Sequence, residues 1–208
     1  MPRPVLTTRD LEDTPDGGEL TIAPDTLITP LAADEVERRR ITLRVTDVSK
    51  QSAHSHFGRV VALGSDHGGF ALKEDLKAYV RDWGYTPLDL GTSSVEPVDY
   101  PDFAEAVANA VVRGDAWRGV VIDSAGIGSS IAANKVPGAR AALCYDRATA
   151  RNSREHNDAN ILSLGARLIP ADAAREILAV WLETEFGGGR HQKRVDKICA
   201  IEDRHRKP

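Results

Sequence analysis

Five short groups of residues in this chain are of types that do chemistry together. The first is Asp123-Ser124-Ala125-Gly126-Ile127-Gly128-Ser129, a carboxylate followed by small residues and two glycines. The apolar run Val120-Val121-Ile122 leads into it, and the helix-forming segment through Ile131-Ala132-Ala133-Asn134-Lys135 follows. A strand, turn and helix in that order leave backbone N–H groups unpaired at the helix start, where an anion or a developing oxyanion is welcome. The second group is Gly64-Ser65-Asp66-His67-Gly68-Gly69. Its carboxylate and imidazole suit a polyhydroxylated or phosphorylated ligand, and Asp66 equally suits the N-cap of a helix. Asp99-Tyr100-Pro101, the third, reads first as a Pro-directed helix start. The fourth, Arg151 to Asn160, contains His156, and an imidazole is the side-chain type suited to proton transfer near neutral pH. A solvated helix end, with the imidazole favourably placed against the helix dipole, fits it as well. In the fifth, Arg190-His191-Gln192-Lys193-Arg194, the two arginines share one helix face. Next to the free N–H groups of a helix start they form either a phosphate site or a solvated basic face.

These groups need elements to hold them, and the periodicity supplies them. Short apolar runs at 59–63, 86–90, 120–122, 141–144 and 161–164 predict five strands. Between them, Leu72, Leu76, Tyr79, Val80 and Trp83 fall at helical spacing, as do Phe103, Ala106, Val107, Ala110 and Val111. A further stripe, Ala174, Ile177, Leu178, Trp181 and Leu182, ends at Gly187-Gly188-Gly189, and a last helix is predicted from Arg190 to about Ile201. Strands that alternate with helices imply βαβ units, hence an α/β fold: a Rossmann-like, three-layer arrangement with a five-stranded parallel sheet. In such sheets ligands bind at the carboxyl ends of the strands, where the first groups above fall. Composition shifts near Gly58. Residues 1–57, with turn-rich stretches such as Asp13 to Gly18 and Ser52 to His56, read as an N-terminal extension to a domain at 58–208.

The bulk numbers narrow the function classes. The 208 residues are 41% hydrophobic and 28% charged, enough for a packed core on a soluble chain. A formal net charge of −4 gives no reason to expect nucleic acid. Cys144 and Cys199 are too few for a disulfide framework and match no metal spacing. No apolar run approaches membrane-spanning length and no secretory leader is evident, so the expected location is the cytoplasm, with no membrane partner.

Taken together, the stretches 64–70, 99–101, 126–138, 154–160 and 188–195 resemble the ribose-5-phosphate isomerase type B family, which includes the galactose-6-phosphate isomerase subunits. The resemblance covers roughly residues 58 to 205. It implies aldose–ketose isomerisation of a phosphosugar without metal or other cofactor. It also implies homodimers, or dimers of dimers, with each active site built from two chains. Carried over by position, Asp66, His67 and Tyr100 would contact the substrate, and His156 would assist ring opening. Asn157 and the backbone amides of Ser124, Ala125, Gly126, Ile127, Gly128 and Ser129 would stabilise the enediolate. Arg190 and Arg194 would hold the phosphate, with Arg167 contributing across the dimer interface. The chemistry agrees: moving a proton between carbons next to a carbonyl needs a base, donors aimed at the oxyanion, and an anchor for the unreactive phosphate.

The chain departs from the family at the loop. Many members carry a cysteine base where this chain has Asp123, and a threonine where it has Ala125; another branch uses a glutamate where it has Ser129. Asp123 is the expected base, since a carboxylate can abstract a proton next to a carbonyl when its surroundings tune it. The alternatives are a non-catalytic or half-active sugar-phosphate-binding subunit that needs a paralogous partner, and a thiol supplied by Cys144, which reads more simply as a buried core residue. The sequence does not name the sugar; pentose phosphate is the family default.

Within the extension, Pro30 is placed to start a short helix through Leu31 and Val36, with Thr29 as its cap. The Thr29-Pro30-Leu31-Ala32 segment, the charged helix after it and Ile41 briefly resemble segments on enzymes of bacterial microcompartments. That likeness implies a location inside such a compartment and a shell protein or paralogous subunit as partner through residues 1–57. An arm packed on the dimer, or a disordered one, is the plainer reading.

Overall fold

The computed structural model describes residues 5–11, 14–22, 26–45 and 58–206. Asp13 and the Ser52 to His56 stretch singled out above lie outside the described residues. The chain forms two compact units, residues 1–56 and 57–208.

In the first unit, β1 (Val5–Leu6) pairs in parallel with β3 (Leu27–Ile28), and β2 (Glu19–Ile22) with β4 (Thr42–Val45). Helix α1 (Pro30–Arg38) begins where the sequence places it: Pro30 opens it and the Thr29 hydroxyl accepts from the Ala32 amide. Leu6, Leu11, Ala32 and Ile41 bury together, with Leu20, Ile22, Val36 and Leu43 against them. The described residues of the extension therefore share a small core of their own.

The second unit is a single parallel sheet. Its strands are β5 (Val60–Ser65), β6 (Thr86–Asp89), β7 (Arg118–Asp123), β8 (Ala141–Leu143) and β9 (Ile161–Gly165), in the order β6-β5-β7-β9-β8. The connecting helices are α2 (Phe70–Asp82), α3 (Tyr100–Arg113), α4 (Ile127–Ala133) and α5 (Arg147–Asn157); α6 (Ala171–Glu183) and α7 (Gln192–His205) follow β9. Because strand side chains alternate between faces, Val61, Leu63, Val120, Ile122, Leu162 and Leu164 pack on one side with Leu76, Val80, Leu178 and Trp181. Ala62, Val121 and Ile161 pack on the other with Val107 and Ala108 of α3. The central strands β5, β7 and β9 bury both faces, which is why they read as continuous apolar runs. The last helix starts two residues later than expected, because Gly188 and Gly189 both take positive φ, 57° and 53°, and the chain turns again before Gln192.

The chain leaves β5 in one direction for β6 and returns past β5 to β7. That reversal makes the carboxyl ends of β5 and β7 the topological switch point, the ligand-binding crevice of open α/β sheets.

Candidate active site

Asp66 immediately follows β5 and Asp123 ends β7, so the two carboxylates flank the switch point. The two turns are pressed together. A Cβ at Gly68 would lie 2.5 Å from Ser124 Oγ, and one at Gly69 would lie 2.5 Å from the Ile122 carbonyl oxygen. Only glycine allows that approach. Asp66 Oδ1 accepts from the Gly69 amide at 2.9 Å, capping the turn into α2. His67 Nδ1 lies 3.2 Å from the Val98 amide nitrogen and 3.3 Å from the Val98 carbonyl oxygen, and the imidazole is exposed. Tyr100, in the first turn of α3, rests on the glycine loop: a Cβ at Gly128 would meet its ring at 2.5 Å. Arg167 lies at the same end of the sheet and donates its amide to the Ser124 carbonyl at 3.0 Å.

Asp123 is 4% exposed, and its carboxylate accepts three backbone amides. Oδ1 accepts from the amides of Ala125, at 2.7 Å, and Gly126, and Oδ2 accepts from the Ser129 amide at 2.8 Å. Burial alone would push this carboxyl up, but the neighbouring Ser129 side chain and the three amides outweigh it and hold it below the usual carboxylate range.

Asp123, the expected base, thus also anchors the loop, with each of its oxygens engaged by backbone amides. The amides of Ala125, Gly126 and Ser129 are spent on Asp123, which leaves those of Ser124, Ile127 and Gly128 with no acceptor among the described residues. Cys144 is no substitute. It is 1% exposed, packed in the core, and burial raises its thiol.

Further contacts fix the loop that the sequence gave no reason to single out. The Tyr145 hydroxyl donates to the Ala125 carbonyl at 3.0 Å, and the Ser163 hydroxyl to that of Gly126 at 2.6 Å.

The remaining site residues form a second cluster elsewhere. Helix α5 runs back from the carboxyl end of β8 to the amino end of β9, so His156 and Asn157, at its last turn, lie at the amino edge of the sheet. The His156 ring stacks on His191, centroids 4.1 Å apart and planes 6° from parallel. The Asn152 side chain, one turn earlier on α5, lies 2.8 Å from His156 Nδ1, a partner legible from its spacing of four residues. Asn157 Nδ2 donates weakly to the Asn152 carbonyl at 3.4 Å. Arg190 Nε approaches His191 Nε2 at 3.3 Å, and Arg194 follows in the first turn of α7. Burial first, then the charges of His156, Arg190 and Arg194, push the His191 imidazole below its ordinary value. Its Nδ1 is buried without a partner among the described residues.

One chain therefore carries two half-clusters. Asp66, His67, Tyr100, the glycine loop and Arg167 sit at the carboxyl end of the strands; His156, Asn157, Arg190 and Arg194 sit at the amino end. β7, of six residues, separates them by about 20 Å at ~3.3 Å per residue.

A doubly wound parallel sheet with a carboxylate–imidazole pair and a glycine turn at its switch point defines a small-ligand α/β enzyme. Residues 61–198 match the Ribose/Galactose Isomerase family. Ribose-5-phosphate isomerase B of Escherichia coli is 44% identical over 144 residues, 69% of this chain and 97% of that protein. Among solved structures, the Clostridium thermocellum ribose-5-phosphate isomerase B is 52% identical with a TM-score of 0.70, covering 71% of this chain and 99% of that one. The Mycoplasma genitalium enzyme, solved with bound ribulose-5-phosphate, is 36% identical with a TM-score of 0.68, again over 71% and 99%. The chain belongs to the ribose/galactose isomerase family, a family of aldose–ketose sugar-phosphate isomerases. Those relatives are matched over nearly their whole length, so the first unit of this chain is additional to them. Among the described residues no helix is long and apolar enough to cross a membrane.

Proposed function

We propose that this protein interconverts ribose 5-phosphate and ribulose 5-phosphate through an enediolate, in sites each assembled from two chains. The observation that carries this reading is the division of the site residues between the two ends of one sheet. Neither cluster is a phosphosugar site by itself: one has sugar-binding groups and the other has the arginines. Two chains related by a two-fold axis bring the carboxyl end of one against the amino end of the other, and do so twice. Arg190 and Arg194 of the partner subunit then grip the phosphate, and His156 of the partner subunit reaches the ring oxygen to open the sugar. Asp66, His67 and Tyr100 orient the open chain. Charge developing on the carbonyl oxygen is met by the amides of Ile127 and Gly128 with Asn157 of the partner subunit.

The occupied Asp123 carboxylate favours a second reading, a sugar-phosphate-binding subunit that needs a paralogous partner for turnover. A panel of tetrose, pentose and hexose aldose and ketose phosphates separates the two. Turnover highest on the pentose phosphates supports isomerisation by this chain. Calorimetric binding of the same compounds with no turnover on any supports the binding subunit. We propose residues 1–57 as an association module for a compartment shell or a paralogous subunit. Their deletion is expected to leave turnover intact and to abolish co-purification with such a partner; retained co-purification would remove that role.

A further inference from the structure

Three backbone amides tie Asp123 to its own loop, whereas a second carboxylate at the switch point keeps an oxygen free. We propose that Asp66 is the base that shuttles the proton between the two carbons. The inference deepens the isomerase reading and rests on it.

Position comes first. The Asp66 amide donates to the Ile122 carbonyl at 3.2 Å, so Asp66 and Asp123 leave adjacent strands side by side at the switch point. Adjacent strands lie about 4.8 Å apart, which puts Asp66 within one strand spacing of the loop that the substrate faces. The second point is freedom. Gly69 holds Oδ1, but among the described residues no donor reaches Oδ2, and that oxygen is not sealed from solvent. Asp66 thus keeps one oxygen free of donors, whereas both oxygens of Asp123 accept amides. The third is fixity. Asp66 is 7% exposed, its turn is jammed against Ile122 and Ser124 through Gly68 and Gly69, and the Gly69 amide sets the carboxylate plane. A base held this way aims one oxygen without having to be ordered during the reaction. The other carboxylate beside β5, Asp89, is committed to Lys73 at 2.6 Å and to Lys77.

The step balances within the substrate. Asp66 Oδ2 takes the proton from C2 of the open-chain aldose phosphate. The C–H electron pair becomes the C1=C2 bond, and the carbonyl pair moves onto O1. The same carboxyl returns its proton to C1, while the hydroxyl proton on O2 passes to O1 and the C2 carbonyl forms. Nothing is oxidised or reduced outside the sugar, and no co-reactant is consumed.

The test follows turnover and solvent exchange together. The full-length protein, as wild type and as Asp66→Asn, Asp66→Glu and Asp123→Asn, is incubated with ribose 5-phosphate in D2O. Deuterium at C2 of the aldose and C1 of the ketose is read by NMR, and binding and melting are measured alongside. General-base loss predicts that Asp66→Asn lowers kcat and exchange by about 10²- to 10⁴-fold, with KM and melting near wild type. Asp66→Glu, which keeps a carboxylate at altered reach, recovers part of both and moves the acid limb of the kcat–pH profile. Asp123→Asn lowers melting and still exchanges deuterium. Exchange by Asp66→Asn within tenfold of wild type overturns the proposal, as does an Asp123→Asn protein that folds but no longer exchanges. A wild-type protein that neither turns over nor exchanges any aldose or ketose phosphate removes the isomerase reading, and this proposal with it.

Discussion

Three backbone amides converge on the Asp123 carboxylate, and they have a consequence for acid stability. The carboxyl is held below its ordinary value in the folded chain, so its contribution is full above the unfolded value of about 3.9 and drains away as pH falls through the folded one. Melting temperatures between pH 3 and 7 should therefore drop for wild type below about pH 4 and drop less steeply for Asp123→Asn. At neutral pH that variant turns an amide NH2 toward backbone N–H donors and should lose about 1–3 kcal/mol, the usual penalty for a buried group left unpaired. An Asp123→Asn protein as stable as wild type at pH 7 would mean the loop holds itself. The sequence marked Asp123 as the unusual residue but not its role. Bonds from the second, third and sixth residues after an aspartate form only once the turn is closed. Asp residues do favour capping their own following amides, and that tendency was the available signal.

The glycine loop is built by close approach as much as by backbone freedom, and two glycines separate these causes. Gly126 has φ of 79°, and a Cβ there would meet Leu143 Cδ1 at 2.5 Å and the Leu164 carbonyl carbon at 2.8 Å. Gly114, at the end of α3, has φ of 82° with nothing within 4 Å of such an atom. Gly114→Ala should then cost about 1–2 kcal/mol, the left-handed penalty alone. Gly126→Ala should cost distinctly more in urea or thermal unfolding and should also lower turnover; equal losses would show that packing against β8 and β9 does not matter. Most elements were legible because the central strands are buried on both faces and the helices carry an apolar stripe, as in Leu72, Leu76 and Val80. The stack of His156 on His191 was not. Its partners come from different helices, and only the packing of the segment after α6 onto α5, where the Gly187 amide donates to the Glu155 carbonyl at 2.9 Å, brings them together.

At the scale of the molecule, the division of the site between two ends of a sheet makes a genetic prediction. Asp66→Asn disables the carboxyl end of a chain and Arg194→Ala the amino end. In a two-fold dimer of one of each, one site carries both defects and the other carries none. Random reassociation of equal amounts makes half of the dimers mixed, so the pool should recover about a quarter of wild-type activity from two nearly inactive proteins. No recovery after verified exchange of subunits would place the whole site within one chain.

The sequence announced that division only through the order of its elements. His156 follows a helix that must run back against the strands, whereas Asp66 and Asp123 stand where strands stop. On the two-chain reading proposed above, such a catalyst would also behave as a concentration sensor: below the dissociation constant of the pair each chain would be silent, and the rate would rise with the square of the chain concentration until pairing is complete.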